Sequence, residues 1–258
     1  MKEFFGFGGY TRPAEGFLSW QHLLFVSSLM AIMIVLAVFL GKSNKSRSGH
    51  EKNKVLIVTA ILIDTLEILK IVVLCLRSES AEPILYNLPL FLCSIQLIAI
   101  PLAAFSSGRV KEAALDFVSI FGILGAVLGT YGAGQNYNAY PVLSLDNVVS
   151  GLTHSISGFA SLYILCSGMA SLKRRNIGIT FGILGVFCIA AYIANLGLDY
   201  NYMFLMQGDG TPYDILYNLV SGNKVAYPLC VVALFLVYIA IFYGVCFLVK
   251  SKQTKSAV

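Results

Sequence analysis

The stretch FLSWQHLLFVSSLMAIMIVLAVFL, residues 17–40, decides the fold class of this chain. It contains no Asp, Glu, Lys or Arg. About 20 apolar residues in a helix cross a hydrocarbon core of ~30 Å. Inside lipid a helix satisfies all of its own backbone hydrogen bonds, which an open strand cannot do. The stretch therefore predicts a transmembrane helix.

The rest of the chain has the same character. Of its 258 residues, 57% are hydrophobic and 12% are charged, and its mean hydropathy is +0.78. Soluble domains carry about 25% charged residues, so the composition predicts one all-α, polytopic membrane domain that covers residues 1–258. The seven predicted helices are residues 17–40, 55–76, 87–105, 113–130, 148–172, 177–196 and 226–249.

Basic residues alternate between the two sides of these helices. Thirteen Lys and Arg residues follow helices one, three, five and seven, whereas four lie on the other side. The positive-inside rule then places the N-terminus outside and the C-terminus in the cytoplasm of a multi-pass plasma-membrane protein. The net charge of +5 comes from these clusters, so we expect membrane lipid and no nucleic acid as a partner. The sequence indicates no cofactor, no metal site and no particular protein partner.

Several ionisable side chains fall at one predicted depth. Cys93, His154 and Lys70 each lie six residues from the predicted outer end of a helix, which corresponds to ~9 Å at ~1.5 Å per residue. His22 lies at ~8 Å and Glu67 at ~14 Å on the same scale. A thiol, two imidazoles, a cation and a carboxylate from four helices therefore share the outer half of the membrane.

This layer has the groups that acyl transfer requires. A cysteine attacks as the thiolate, and a nearby imidazole takes its proton. A carboxylate can orient the imidazole, and a Lys or an amide such as Gln96, one turn beyond Cys93, can stabilise an oxyanion. We therefore predict Cys93 and His154 as catalytic residues. The predicted supporting residues are Glu67, Lys70, Gln96 and His22.

Two other functions remain open on the residue types alone. Charged residues within a span are costly and normally face a cavity or a partner, so Asp64, Glu67, Lys70 and His154 are also suited to a transport pathway. Glu67 and Lys70 are spaced to pair with each other on one helix. A receptor-like or accessory protein without chemistry is the third alternative.

Three segments resemble the YwaF-like family of bacterial membrane proteins. They are LPLFLCSI at residues 88–95, the segment around His154, and the outer-loop run NYMFL that begins at Asn201. That family is similar to eukaryotic transmembrane proteins described as cysteine-dependent phospholipid acyltransferases. The resemblance implies acyl transfer or hydrolysis on phospholipids, with a Cys and a His as key residues.

The resemblance assigns the outer-loop family motif to Asn201, Tyr202, Met203 and Phe204. The key histidine that the resemblance implies corresponds directly to His154. Relatives usually have His at the position of Phe91, and the eukaryotic members have the Cys before it, at the position of Leu90. Cys93 lies one helical turn further along, where it is the candidate to replace that nucleophile.

Overall fold

The computed structural model describes residues 2–170 and 172–255, with side chains through residue 249. Over those residues the chain forms helices and turns without a strand, which confirms the predicted all-α fold. The α-helices are α1 (Lys2–Phe5), α2 (Trp20–Asn44), α3 (Gly49–Ser78), α4 (Glu82–Tyr86), α5 (Gln96–Phe105), α6 (Gly108–Tyr131), α7 (Gly134–Ala139), α8 (Leu145–Ser167), α9 (Ile177–Leu198), α10 (Asp214–Leu219) and α11 (Ala226–Lys255). Two 3₁₀ turns lie at Arg174–Asn176 and Tyr202–Phe204.

Five of these helices are long and apolar enough to cross a membrane, namely α2, α6, α8, α9 and α11. α3 has 30 residues but carries Asp64, Glu67 and Lys70 within its apolar stretch. α5 has only ten residues. The molecule is thus a bundle of membrane-type helices, while the count of seven crossings and the sidedness stay predictions.

The third predicted helix differs from the structure over residues 87–95. The chain forms turns there, and the helix begins only at Gln96. Pro89 disfavours helical geometry at the preceding residue. The Ser94 hydroxyl accepts a hydrogen bond from the Phe91 amide at 2.9 Å and donates one to the Phe91 carbonyl at 3.1 Å. A serine that bonds the local backbone in this way competes with the helix ladder.

The chain divides into two compact units, residues 2–170 and residues 172–255. The prediction of a single domain stays a prediction, and each unit is described by itself. In the first unit α6 and α8 pack against each other, because Gly122 lets the α6 backbone approach Ser157 and Ser161. The Ser161 hydroxyl donates a hydrogen bond to the Ser119 carbonyl of α6 at 2.7 Å. Small residues at such contacts are typical of helix packing in membranes.

One end of the first unit is held by an ion pair between α3 and α8. Arg77 donates two hydrogen bonds to the Asp146 carboxylate, at 2.8 and 2.9 Å. The Tyr10 hydroxyl donates to the same carboxylate at 2.6 Å. Burial, followed by this hydrogen bond, raises the pKa of Tyr10 to about 12, so the phenol keeps its proton. We call this end, formed by Arg77, Asp146 and residues 2–19, the cap end.

The ion pair also sets the register of two antiparallel helices. Lys70 precedes Arg77 by seven residues on α3, and His154 follows Asp146 by eight on α8. At ~1.5 Å per residue these positions lie ~10 and ~12 Å below the ion pair. Lys70 and His154 are therefore level with each other inside the bundle.

Replacing Arg77 by Met should lower the free energy of unfolding by about 3 kcal/mol, because Asp146 would be left as a largely buried charge without its partner. The Asp146 side chain is 9% exposed. The measurement is unfolding of the purified chain in detergent by heat or denaturant. Arg12→Met is the matched control, since the ion pair of Arg12 with Glu15 is exposed and such pairs contribute less than about 1 kcal/mol. Equal losses in the two variants would contradict the structural role of Arg77.

Candidate active site

Cys93 lies on the turn that leads into α5. Its carbonyl accepts a hydrogen bond from the Gln96 amide at 3.3 Å, and Ser94 beside it closes the turn on Phe91. The Cys93 side chain is half-buried and forms no disulfide. An irregular turn thus presents the thiol inside the bundle without sealing it from an approaching molecule.

His154 lies on α8 with both ring nitrogens engaged. Its Nδ1 is 2.7 Å from the Ser150 carbonyl one turn earlier. A carbonyl only accepts, so Nδ1 carries a proton, and Nε2 of the neutral ring is then an acceptor. The Cys93 thiol lies close enough to the His154 side chain to interact with it, and Nε2 is the nitrogen that is able to accept the thiol proton. Nucleophile and base are therefore in contact, and a backbone carbonyl rather than a carboxylate orients the base.

Two glycines of α6 make room for this pair. A Cβ built on Gly129 would overlap the Cδ2 and Nε2 edge of the His154 ring. A Cβ on Gly125, one turn earlier, would lie 3.4 Å from the Cβ of Cys93. The imidazole thus rests directly on the α6 backbone, with the thiol beside it along the same helix face.

Asp64, Glu67 and Lys70 are the charged residues within the apolar stretch of α3. Glu67 and Lys70 form an ion pair of 2.6 Å and are both mostly shielded from solvent. Lys70 is close enough to interact electrostatically with His154, and Glu67 with Asp64. Of the predicted supporting residues, Lys70 is therefore next to the Cys93–His154 pair, while Glu67 neutralises Lys70 instead of orienting the imidazole.

Two buried polar groups lie one turn beyond the pair. Gln96 follows Cys93 by three residues and is fully buried, and its Oε1 and Nε2 have no hydrogen-bond partner among the described residues. Ser157 follows His154 by three and is 3% exposed, also with an unpartnered hydroxyl among those residues. Unpaired buried polar groups cost about 1–3 kcal/mol, so both are candidates to bind a molecule that enters the site.

His22 has a different role from the one predicted by its depth. Its Nδ1 accepts from the Leu18 amide at 3.1 Å, so Nε2 carries the proton and donates to the Thr130 carbonyl at 3.1 Å. The ring centroid is 3.9 Å from that of Tyr137. His22 therefore fixes the start of α2 to the end of α6, and its ring nitrogens are already used.

The outer-loop motif belongs to the second unit. The Asn201 amide donates to the Asp209 carboxylate at 2.6 Å and to the Gln207 carbonyl at 2.8 Å, while its oxygen accepts from the Met206 amide at 2.9 Å. One side chain thus folds residues 201–209 into a closed loop. The closure of this loop therefore accounts for the asparagine at position 201.

The next three residues of the motif have an unusual backbone. The Asn195 side chain brackets Tyr202, accepting from its amide at 2.6 Å and donating to its carbonyl at 3.0 Å. Met203 and Phe204 follow with φ of 55° and 56°. Such left-handed conformations are costly for residues other than glycine and persist only where neighbours enforce them.

The sequence model of the TMEM164 family matches residues 17–245. The chain belongs to the TMEM164 family. The match covers Cys93, His154 and the Asn201 loop. No curated protein and no solved structure matches the chain.

Sequence reasoning missed the parts of this TMEM164-family site that have no reactive side chain. The Ser150 carbonyl and the bare backbone at Gly129 determine how His154 lies, yet neither contributes a functional group. Gly122, Gly125 and Gly129 follow an i, i+3, i+7 pattern that puts them on one face of α6. That pattern predicts a close approach, but it does not say which side chain fills the space.

Gly129→Ala should slow alkylation of Cys93 by N-ethylmaleimide about tenfold, because the new methyl group displaces the imidazole that helps to form the reactive thiolate. Labelling at Cys93 is measured by mass spectrometry of its peptide, since the chain has six cysteines. Gly125→Ala is the matched control and should stay within about twofold of the parent, because its methyl group would make only an ordinary contact. Equal rates for the parent and Gly129→Ala would contradict the placement of His154 on the α6 backbone.

Proposed function

We propose that this protein transfers or hydrolyses acyl groups of membrane phospholipids, with Cys93 as nucleophile and His154 as base. The observation that carries the proposal is that Cys93 and His154 lie side by side against Gly125 and Gly129 of α6, within interaction range of each other, with the Nδ1 of His154 held by Ser150. A nucleophile in contact with an oriented base is the arrangement that activates cysteines in acyl transfer.

The chemistry proceeds in two steps. His154 Nε2 takes the thiol proton while the Cys93 sulfur attacks the ester carbonyl of a phospholipid. A C–S bond forms, the ester C–O bond breaks, and the proton passes from Nε2 to the leaving oxygen of the lysophospholipid. In the second step the alcohol of an acceptor lipid, or water, gives its proton to Nε2 and attacks the thioester, which returns the thiol.

Polar groups around the Cys93–His154 pair stabilise the oxyanion that forms when the sulfur attacks the ester carbonyl. Gln96 offers an unpartnered buried amide one turn from Cys93, and Ser157 offers a hydroxyl one turn from His154. Lys70 adds a cation near His154. Donors that are already in place and shielded from water are the most effective stabilisers of developing negative charge.

The sequence resemblance supports the same chemistry. The YwaF-like segments contain both proposed residues, and the related eukaryotic proteins are described as cysteine-dependent. In this chain Leu90 and Phe91 occupy the positions of the family's Cys and His. Their side chains can act neither as a nucleophile nor as a base. Cys93 lies on the same turn and is the residue that meets His154.

Lipid contact and a multi-pass plasma-membrane location belong to this proposal. Large apolar side chains remain exposed along the spanning helices: Val35 and Phe39 are each 65% exposed on α2, and Val186 and Ile193 are 67% and 64% exposed on α9. Exposed apolar surface of this extent needs lipid as its solvent. The alternation of basic segments supports the cap end as the exoplasmic end.

The test is acyl transfer in proteoliposomes that contain the purified chain and a phospholipid with a labelled acyl group. Cys93→Ala should abolish transfer and the hydroxylamine-sensitive acyl label on the protein. His154→Gln should slow transfer by about 10²–10⁴-fold, the usual contribution of a general base. Cys75→Ala, at the cap end of α3, is the thiol control and should transfer normally. Acyl label that persists in Cys93→Ala would overturn the proposal.

Transport is the second candidate function, and one observation favours it. Asp64 Oδ1 is buried within α3 without a hydrogen-bond partner among the described residues, and the Glu67–Lys70 pair lies one turn further along the helix. Ionisable groups at such positions often line ion pathways. Loss of solute uptake in Glu67→Gln together with normal uptake in Cys93→Ala would favour transport over acyl transfer.

A further inference from the structure

A second polar site lies at the end of the first unit opposite the cap end. There a cavity of about 420 Å³ is bounded by the start of α3, the start of α6 and the residues that follow α8. Among the residues that the structure describes, its lining includes three nitrogen bases and no carboxylate. They are His50, Lys52 and Lys111.

Lys111 is positioned by neutral partners. Its ammonium donates to the Asn53 side-chain oxygen at 2.6 Å and to the Ala103 carbonyl at 2.7 Å. The Asn53 amide in turn donates to the Ala104 carbonyl at 2.7 Å, which fixes its orientation. An ammonium has three donors, and the two acceptors that the described residues provide for it are both neutral.

The α3 N-terminus adds to the positive potential. Gly49 and His50 are its first two residues and line the cavity. The first amides of a helix have no partner within the helix, and the helix dipole makes this end positive. Glu51, the next residue of this turn, is outside the lining, receives the Ser48 amide and pairs with Arg47 at 4.0 Å.

The cavity wall is also fixed from the side of α8. The Tyr163 hydroxyl donates to the Lys52 carbonyl at 3.0 Å and accepts from the Asn44 amide at 3.1 Å. The position of Lys52 is therefore held by its backbone, while its side chain is free to reach a ligand. This distinguishes the site from a cluster of mobile surface lysines.

We propose that this cavity binds a phosphate group carried on a larger molecule. Two ammonium groups, an imidazole and the amides of a helix N-terminus match a phosphate in charge and in donors. The volume lies within the range of ~300–1,000 Å³ for small-molecule sites and exceeds the needs of a bare ion. Basic pockets at the ends of membrane helices commonly take lipid headgroups. The source is therefore either an anionic phospholipid or a soluble phosphate compound, and the proposal is independent of acyl transfer.

The test measures thermal stabilisation of the full purified chain in detergent, since a ligand at free concentration L that binds the folded state stabilises it by RT ln(1 + L/Kd) and so raises its melting temperature. One arm titrates dioctanoyl phosphatidic acid against dioctanoyl phosphatidylcholine. The other titrates inorganic phosphate and glycerol 3-phosphate against sodium chloride at equal ionic strength. Stabilisation by phosphatidic acid, but not by phosphatidylcholine or the soluble phosphates, assigns the site to a lipid, and stabilisation by the soluble phosphates assigns it to a soluble ligand.

Lys52→Met and Lys111→Met should each raise the apparent Kd fitted to the melting shifts about tenfold, which corresponds to one charge-assisted hydrogen bond. Lys52→Met keeps the test valid if Lys111→Met disturbs Asn53. Lys54→Met is the matched control, because it removes the same charge from the same helix at an exposed position outside the lining. The proposal is overturned if no phosphate compound raises the melting temperature above its control, or if Lys54→Met weakens binding as much as Lys52→Met.

Discussion

The bare backbone of α6 at Gly129 is the constraint on which the site depends. Because no side chain projects there, the His154 ring lies against the helix and turns its Nε2 edge toward Cys93. A methyl group at this position would occupy the space of the ring. The same helix face receives Cys93 at Gly125 and the α8 backbone at Gly122. Close packing in a membrane thus creates the contact between thiol and imidazole.

A second constraint acts from outside the site. The Arg77–Asp146 ion pair aligns α3 with α8 at the cap end and brings Lys70 level with His154. Cys93 is contributed by a third element, the turn of residues 88–95. Catalytic groups on separate elements need such supports, because small displacements of a nucleophile or base are costly for the chemistry. The proposed reactive pair and the proposed phosphate cavity lie at different levels of one compact unit.

The sequence predicted the class of fold well, because apolar length and charge distribution depend only on local composition. Helices α6, α9 and α2 begin and end within a few residues of their predicted limits. The helix predicted over residues 87–95 was wrong. The apolar composition favours a helix there, but Pro89 and the Ser94 hydroxyl favour turns. Cys93 and His154 were selected by depth and chemistry, but depth does not state which faces meet. The contacts of His22 with Thr130 and Tyr137 were missed for the same reason.

The most direct test of the Cys93–His154 contact is the protonation of the imidazole nitrogens. Solid-state NMR of the ¹⁵N-histidine-labelled chain in lipid bilayers distinguishes Nδ1–H from Nε2–H, and the chain has only three histidines. The account predicts a protonated Nδ1 on His154, an Nε2 signal that changes in Cys93→Ala, and the opposite tautomer on His22. A bare Nδ1 on His154, or an Nε2 signal indifferent to Cys93→Ala, would contradict it.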